Sequence, residues 1–374
     1  MMADFMFADA YEAAVEKIIR ISGEIGVSFP QVVPDESGIY NREDPAYWTG
    51  GFWGGLLWLA YRASGKRELF ELACEIEQAQ DTALEEFTGL HHDVGFMWLP
   101  TAVTHYRETG CEASRVRGLK AASILASRFN LAGKFLRAWN EEQREDSTGL
   151  AIIDCLMNLP LLYWASEATG DPRFRQIAIA HTDTVQSTFV RTDFTVPHIM
   201  RFNPETGKTL GAVSGQGKHA DSVWSRGQAW AIYGFATAYQ ETGRTDYGRT
   251  AYGMAKRFFE NLPEDKIPLW DFCADEEERC AKDSSAACIA ASGMLKLAPL
   301  LKEKEEREQM EGYAKELLAH LIRECASFGS ESQGIIKNGT VNFVTRRYVN
   351  VPIIYGDFYF LEALGRLKGL QGIF

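Results

Sequence analysis

The sequence predicts an all-α protein, an (α/α)6 barrel of six helical hairpins with two short β-hairpins in loops on one face. Three observations predict it. About twelve stretches carry apolar residues at the helical period. A short phrase recurs where helices end: Tyr61-Arg-Ala-Ser-Gly65, Tyr106-Arg-Glu-Thr-Gly110, Ser166-Glu-Ala-Thr-Gly170 and Tyr239-Gln-Glu-Thr-Gly243. The stretches also alternate, amphipathic and charged in the odd ones, apolar and aromatic in the even ones. A helix that is apolar all round is buried. An inner ring of buried helices inside an outer amphipathic ring is a barrel, whereas an open solenoid would lack the closed centre.

Taken in order, the first outer stretch lies near 8–22. The inner stretch 51–63 holds Phe52-Trp-Gly-Gly-Leu-Leu-Trp58, and 67–86 restarts after Gly65, because glycine supplies the left-handed cap that ends a helix. The same step joins 93–108 to 112–128, 150–168 to 171–189, and 225–241 to 245–260. The inner members carry Gly95-Phe-Met-Trp98, Leu159-Pro-Leu-Leu-Tyr-Trp164 and Trp230-Ala-Ile-Tyr233. Stretches 284–300, 305–324 and 356–368 complete the count. Two insertions read as β-hairpins. Phe194–Val213 turns at Asn203-Pro-Glu-Thr-Gly207, and Gly334–Thr345 places Asn338-Gly339 at a type I′ turn. Long insertions on one face of a barrel usually build a site. One domain spanning 1–374 is expected.

Composition narrows the function classes. The chain has 374 residues, with 39 basic and 51 acidic side chains and a net charge of −12. That balance disfavours a nucleic-acid or anionic-membrane surface. No run reaches the roughly 18 apolar residues of a membrane helix. Residues 1–25 carry five acidic side chains and no apolar h-region, so no signal peptide is expected. Seven scattered cysteines form neither a disulfide framework nor a zinc motif, which points to a reducing, cytoplasmic setting. The histidines lack HxxxH or HExxH spacing, so no metal is expected. Gly-rich pieces match neither a dinucleotide nor a phosphate loop, and no cofactor is expected.

The unusual polar residues gather just before the inner stretches: Trp48-Thr-Gly-Gly-Phe-Trp53, His91-His-Asp-Val-Gly95, Asp154-Cys155, Gly215-Gln-Gly217, Trp224-Ser-Arg-Gly-Gln-Ala-Trp230, Lys282-Asp-Ser-Ser285 and Gly356-Asp357. In an alternating barrel these starts share one end and converge on a funnel. Asp154 lies in an apolar run, where a carboxylate is costly unless paired and where burial raises its pKa, as a general acid at neutral pH requires. A structural ion pair is the competing reading. Asp93 and Asp283 fit helix N-caps as well as a site. Arg226 fits either a bidentate clamp on a substrate carboxylate or an internal pairing with Asp221 or Asp357. His91 and His92 fit carboxylate contacts, core or caps. Trp48, Trp139 and Trp230 fit sugar stacking or core packing.

Taken together, Tyr47-Trp-Thr-Gly-Gly-Phe-Trp53, His91-His-Asp-Val-Gly-Phe96, Ile152-Ile-Asp-Cys-Leu-Met-Asn-Leu-Pro160, Trp224-Ser-Arg-Gly-Gln-Ala-Trp-Ala-Ile-Tyr-Gly234, Lys282-Asp-Ser-Ser-Ala286 and Gly356-Asp-Phe-Tyr-Phe-Leu-Glu-Ala-Leu364 resemble the unsaturated glucuronyl hydrolases, glycoside hydrolase family 88. The resemblance spans essentially the whole chain. It implies a catalytic (α/α)6 barrel that removes the C4–C5 unsaturated uronic acid from the non-reducing end of polysaccharide-lyase products. It implies no metal and no cofactor, and a small anionic unsaturated di- or oligosaccharide as the partner. By motif, Asp154 matches the acid/base and Asp93 the second essential carboxylate. His92, His198, Gln216, Arg226 and Trp230 match substrate-site positions, with Arg226 at the uronate carboxylate and Trp230 at the ring. Trp48 and Trp139 match aromatic walls. One departure stands out: the family pattern has His directly before Gln-Gly, and this chain has Gly215, with a His only at His219. Nor does a Ser-x-x-Ser-x-Lys pattern precede Gly356; Arg346 and Arg347 lie there instead. Unsaturated rhamnogalacturonyl hydrolases of family 105 share this fold and chemistry. A sugar epimerase on the same barrel would rely on His instead. A non-catalytic binding module would tolerate loss of both Asp residues.

Overall fold

The computed structural model describes residues 2–374. The segment α1 (Met2–Ile25) is outer, and α2 (Phe52–Ser64) is the first inner helix. The outer α3 (Arg67–Ala79) continues through Gln80 into the short α4 (Asp81–Glu86). The inner α5 (Val94–Trp98) runs through a π turn at Leu99–Val103, which contains Pro100, into α6 (Thr104–Thr109). A mid-helix proline lacks the N–H of the α ladder, and the widened turn accommodates it. There follow α7 (Glu112–Ser127), α8 (Leu159–Thr169), α9 (Pro172–Thr188), α10 (Ser225–Thr242), α11 (Thr245–Glu260), α12 (Ser284–Leu297), α13 (Lys304–His320) and α14 (Ile354–Leu367). Counting α3–α4 and α5–α6 as continuous rods leaves the twelve rods of an (α/α)6 barrel, inner and outer in alternation.

The recurring phrase does what its glycine predicts. Gly65, Gly110, Gly170 and Gly243 take φ between 67° and 74°, and each N–H caps the carbonyl four residues back. The inner rods are nearly solid with buried side chains. All of α12 is buried, and so is α10 from Ser225 to Ala238. The chain's last residues fold back into the barrel, where the Phe374 ring packs 6.0 Å from Phe96 and 5.7 Å from Tyr359. Apolar burial of this extent is the main stabilising term.

Two small antiparallel sheets sit in the loops. One joins β1 (Phe129–Asn130) to β2 (Phe135–Leu136); the other has the order β3 (Leu150–Ile152), β4 (Ile199–Phe202), β5 (Thr209–Val213). The β4–β5 pair is the expected hairpin turning at Asn203–Gly207, with a register irregularity at Arg201/Phe202. Three details differ from the sequence reading. Residues 150–157 are not α-helical: β3 pairs with β4, then a 3-10 turn spans Ile153–Met157, and the helix begins only at Leu159. The β1–β2 hairpin is additional. The segment Gly334–Thr345 is not a hairpin closed at Asn338-Gly339. Asn338 does take φ 67°, but Gly339 pairs with Val351 and Asn342 with Arg347, so the chain reverses at 343–346. A positive φ there bends an irregular ladder instead of closing a two-residue turn.

Candidate active site

The inner rods begin at one end, and their first residues meet as predicted. Asp93 stands directly before α5 and Asp154 directly after β3. Arg226 starts α10, Asp283 precedes α12, and Asp357 lies in the first turn of α14. Neither Asp93 nor Asp283 caps its helix with its side chain, so the N-cap readings fall away.

The small sheet positions Asp154. Its register sets Ile152 opposite Ile199, and the Ile153 N–H donates to the His198 carbonyl at 3.0 Å. The next side chains outward are therefore neighbours: His198 Nε2 lies 3.5 Å from Asp154 Oδ2. His198 Nδ1 accepts the Gln216 backbone N–H at 2.9 Å. That bond leaves the ring proton on Nε2, the nitrogen nearer Asp154. Burial pushes His198 down to about 3, so the ring is neutral. A Cβ on Gly215 would fall 2.2 Å from His198 Nδ1, so the site as built needs glycine where the family pattern has His.

Asp93 is held by Asn158, the residue that ends the turn carrying Asp154. The Asn158 carbonyl oxygen accepts the Phe96 N–H at 2.8 Å, and its amide donates to Asp93 Oδ1 at 3.1 Å. This contact requires close approach of two backbones. A Cβ on Gly95 would lie 2.5 Å from Asn158 Cα. His91 Nδ1 and His92 Nε2 stand 3.5 Å and 3.4 Å from Asp93 Oδ2. Burial keeps both rings neutral, His91 down at about 3 and His92 well below its ordinary value.

Burial dominates the electrostatics of both carboxyls. Asp154 is pushed up to about 7; the Arg226 charge, its own backbone N–H and the Trp230 indole restrain the rise. Asp93 is raised well above the ordinary carboxylate range, first by burial and then by the Asp154 charge facing it. Among the described residues Asp154 Oδ2 has no hydrogen-bond partner. Burial and the charge of one carboxyl on the other keep a proton on this pair at neutral pH.

Arg226 is paired internally, and its partner is neither Asp221 nor Asp357. One terminal nitrogen donates to Asp283 Oδ2 and to the Thr340 carbonyl, the latter at 2.6 Å. The other donates to Gln216 Oε1 at 2.9 Å and the Val341 carbonyl at 2.6 Å. The guanidinium also stacks on Trp224 at 4.5 Å. All four terminal N–H bonds are taken and the residue is 2 % exposed, so the uronate clamp expected of it does not fit. Its bond to Gln216 Oε1 instead leaves the Gln216 amide N–H₂ as the free donor. Two further expectations are revised by burial. His92 is 0 % exposed and backs Asp93. Trp230 is 1 % exposed, packed 5.1 Å from Phe96 and 5.4 Å from Tyr359, and serves as a wall behind Asp154. Trp48 is half-buried beside Phe96 and Tyr355, at 5.5 Å and 5.1 Å. Trp139 is half-buried, edge-on to His92 at 6.3 Å, with Arg144 against its face.

Sequence reading missed Asn158 and the Arg226–Asp283 pair. Asn158 did carry a signal: an amide in an apolar run, four residues past Asp154. Residues His91, His92 and Asp93 offer three ligand atoms within 4.8 Å of one another, the one such group among the described residues. Adjacent histidines escape a search for helical metal spacing. The chemistry open to the pair of carboxyls needs no ion there.

Comparisons with known proteins place the chain in a family. The sequence profile of Glycosyl Hydrolase Family 88 matches residues 20–359. The unsaturated glucuronyl hydrolase of Bacillus sp. (strain GL1) is 37% identical over 371 residues, covering 98% of each chain. An unsaturated chondroitin disaccharide hydrolase of Streptococcus agalactiae is 32% identical over 96% of this chain and 90% of its own. The crystal structure of the Bacillus sp. GL1 enzyme superposes with a TM-score of 0.94 at 36% identity, covering 98% of each chain. With the profile and both relatives matched nearly end to end, the chain belongs to glycoside hydrolase family 88.

Proposed function

We propose that this chain releases the C4–C5 unsaturated uronic acid from the non-reducing end of glycosaminoglycan-type lyase products, as one catalytic domain over 1–374 working in the cytoplasm. Among the described residues no helix is long and apolar enough to cross a membrane. The relatives named above carry this activity in their names. One observation supports the reading most: a buried carboxyl with an unpartnered oxygen and a pKa near 7, facing a second raised carboxyl.

The substrate is an enol ether, and its reactive bond is C4=C5, not the anomeric centre. Asp154 donates its proton to C4. Positive charge then develops at C5 and the ring oxygen, and the Asp154 carboxylate just formed lies nearby to stabilise it. Water adds at C5 and returns its proton to Asp154. The resulting hemiketal opens to a C5 ketone and a C1 hemiacetal. Collapse of the hemiacetal expels the neighbouring sugar as its alcohol and leaves a 4-deoxy-5-keto uronic acid. A pKa near 7 leaves Asp154 protonated in a large fraction of molecules and its conjugate base strong enough to take a proton back. Asp93, itself raised and held by Asn158, helps keep a proton on the pair. His198 Nε2–H stands 3.5 Å from Asp154 as a neutral dipole, and the free Gln216 amide supplies a donor for the uronate.

Rates on unsaturated chondroitin, heparin and pectin disaccharides test the reading, followed as loss of the enol-ether ultraviolet absorbance. Turnover of the glycosaminoglycan disaccharides is expected. Turnover of the pectin disaccharide alone would place the chain with the rhamnogalacturonyl chemistry, and no turnover of any would reject the reading.

A further inference from the structure

The substrate proposed above is an anion in a protein of net charge −12, and the one deeply buried guanidinium at its reactive centre is fully engaged. Another cation has to meet that charge. We propose that Arg144, set against the face of Trp139 at the rim of the site, forms an anion subsite for the saccharide, taking a carboxylate or sulfate group. The proposal rests on the functional reading above.

Arg144 is half-buried, on the loop between β2 and β3. Its guanidinium lies 4.9 Å from the centre of the Trp139 ring. Its only hydrogen bond among the described residues runs from one terminal nitrogen to the Ser214 carbonyl, at 3.1 Å. A guanidinium has five N–H bonds, so four stay free, including the pair on the second terminal nitrogen. Arg226 has none to spare at its ends.

Two short chains of contact tie Arg144 to the two carboxyls. Through Trp139 it reaches His92, 6.3 Å from that ring, and His92 backs Asp93. Through Ser214 it joins the turn that carries Gln216, whose N–H holds His198, whose Nε2 faces Asp154. Its charge is felt at His198 and helps to keep that ring neutral. Of the four acidic residues on its own loop, Asp146 pairs with Arg201 at 2.9 Å and Glu141 holds Ser147 and Arg137, while Glu142 and Glu145 form no ion pair with Arg144 among the described residues. Arg144 is thus a cation without a protein carboxylate, pinned by stacking and one backbone bond, with its fork open. A planar fork with two parallel donors suits a carboxylate or sulfate edge, and the Trp139 stack fixes the plane at little entropic cost.

The test compares wild type with Arg144→Gln and Arg144→Lys on three unsaturated disaccharides: one unsulfated, its uronate methyl ester, and one sulfated on the neighbouring sugar. If Arg144 holds the uronate, Arg144→Gln raises KM for the unsulfated acid about tenfold or more, since a bond to a charged group is lost. The kcat stays within about twofold. The variant's preference for acid over ester collapses toward unity, and Arg144→Lys recovers part of the loss. A KM increase confined to the sulfated sugar assigns the same subsite to sulfate. A KM within about twofold of wild type on all three, or a fall in kcat alone, overturns the proposal. Wild-type turnover tests the functional reading, and the variant-to-wild-type ratio tests Arg144. Calorimetric binding of the same saccharides to Asp154→Asn and Asp154→Asn/Arg144→Gln reads the subsite without turnover; equal affinities would also overturn it.

Discussion

Four aspartates sit at the starts of inner rods, and they divide into two kinds. Asp283 and Asp357 are saturated. Asp283 accepts from Arg226, from the Ser285 hydroxyl and from the Thr340 N–H at 3.4 Å. Asp357 accepts the Tyr40 hydroxyl at 2.6 Å and the Ile335 and Ile336 N–H groups, each at 2.8 Å. Asp93 and Asp154 are somewhat more open and far less satisfied: one amide for Asp93, and an Asp154 oxygen with no partner among the described residues. A carboxylate with its lone pairs filled is a structural brace, whereas one left short in a dry pocket holds a proton that it can give away. The same residue type at the same place in the repeat thus does two jobs, and the count of donors separates them.

The largest expected effect tests that division directly. Asp154→Asn keeps shape and removes the transferable proton. Its kcat on an unsaturated disaccharide should fall by about 10²–10⁴-fold, the usual worth of general acid–base catalysis, with the circular dichroism spectrum unchanged. Activity within tenfold of wild type would remove Asp154 from the acid role and the contrast with it. Asp283→Asn should fail in the opposite way. It leaves the Arg226 charge buried without its counter-ion, which costs about 3–5 kcal/mol of stability. Chemical denaturation should show that loss. A stable Asp283→Asn with kcat reduced a thousandfold would move Asp283 into the chemical group.

Much of this division was beyond the reach of the sequence, for reasons visible at particular residues. The barrel was legible because its signals are local: Gly65, Gly110, Gly170 and Gly243 each end a helix by their own backbone freedom. The convergence of Asp93 and Asp154 followed from the alternation of rods. The partner of Arg226 was not legible. Asp283 lies 57 positions away on the next inner rod, and nothing local distinguishes it from Asp221 or Asp357. The helix expected over 150–157 failed because apolar residues in a short run fit a strand as well as a helix, and pairing with β4 decided it. His92 and Trp230 were read as contacts because the motif places them at the site. Burial, which only the packed structure fixes, puts them behind it.

A smaller effect concerns stability. Asp154 holds its proton more tightly folded, near 7, than an unfolded carboxyl does. Between the ordinary carboxyl pKa and about 7 the native state therefore binds more protons than the unfolded one. Its stability is greatest below that window and falls as pH rises through it. Asp154→Asn lacks this dependence. The variant should gain on wild type from pH 4 to pH 8, by about 1–4 kcal/mol at the upper end. A gap that stays flat with pH would show that Asp154 ionises without cost.

The smallest effect is on the pH–rate profile, where the neutral His198 acts on Asp154. The acid must be protonated to start the reaction, so kcat should decline as pH rises through about 7. His198 presents an N–H dipole to Asp154 Oδ2 at 3.5 Å, a weak contact that favours the ionised form. Removing it with His198→Ala raises the Asp154 pKa, and the alkaline limb should move to higher pH by roughly 0.3–1 unit, with the maximal rate reduced severalfold. A limb that moves to lower pH would mean that His198 favours the protonated form, its Nε2 lone pair accepting the Asp154 O–H in place of an N–H facing the carboxyl. The brace-and-donor contrast between the four aspartates would then rest on one fewer open oxygen, because the Asp154 proton would already be engaged on the ring.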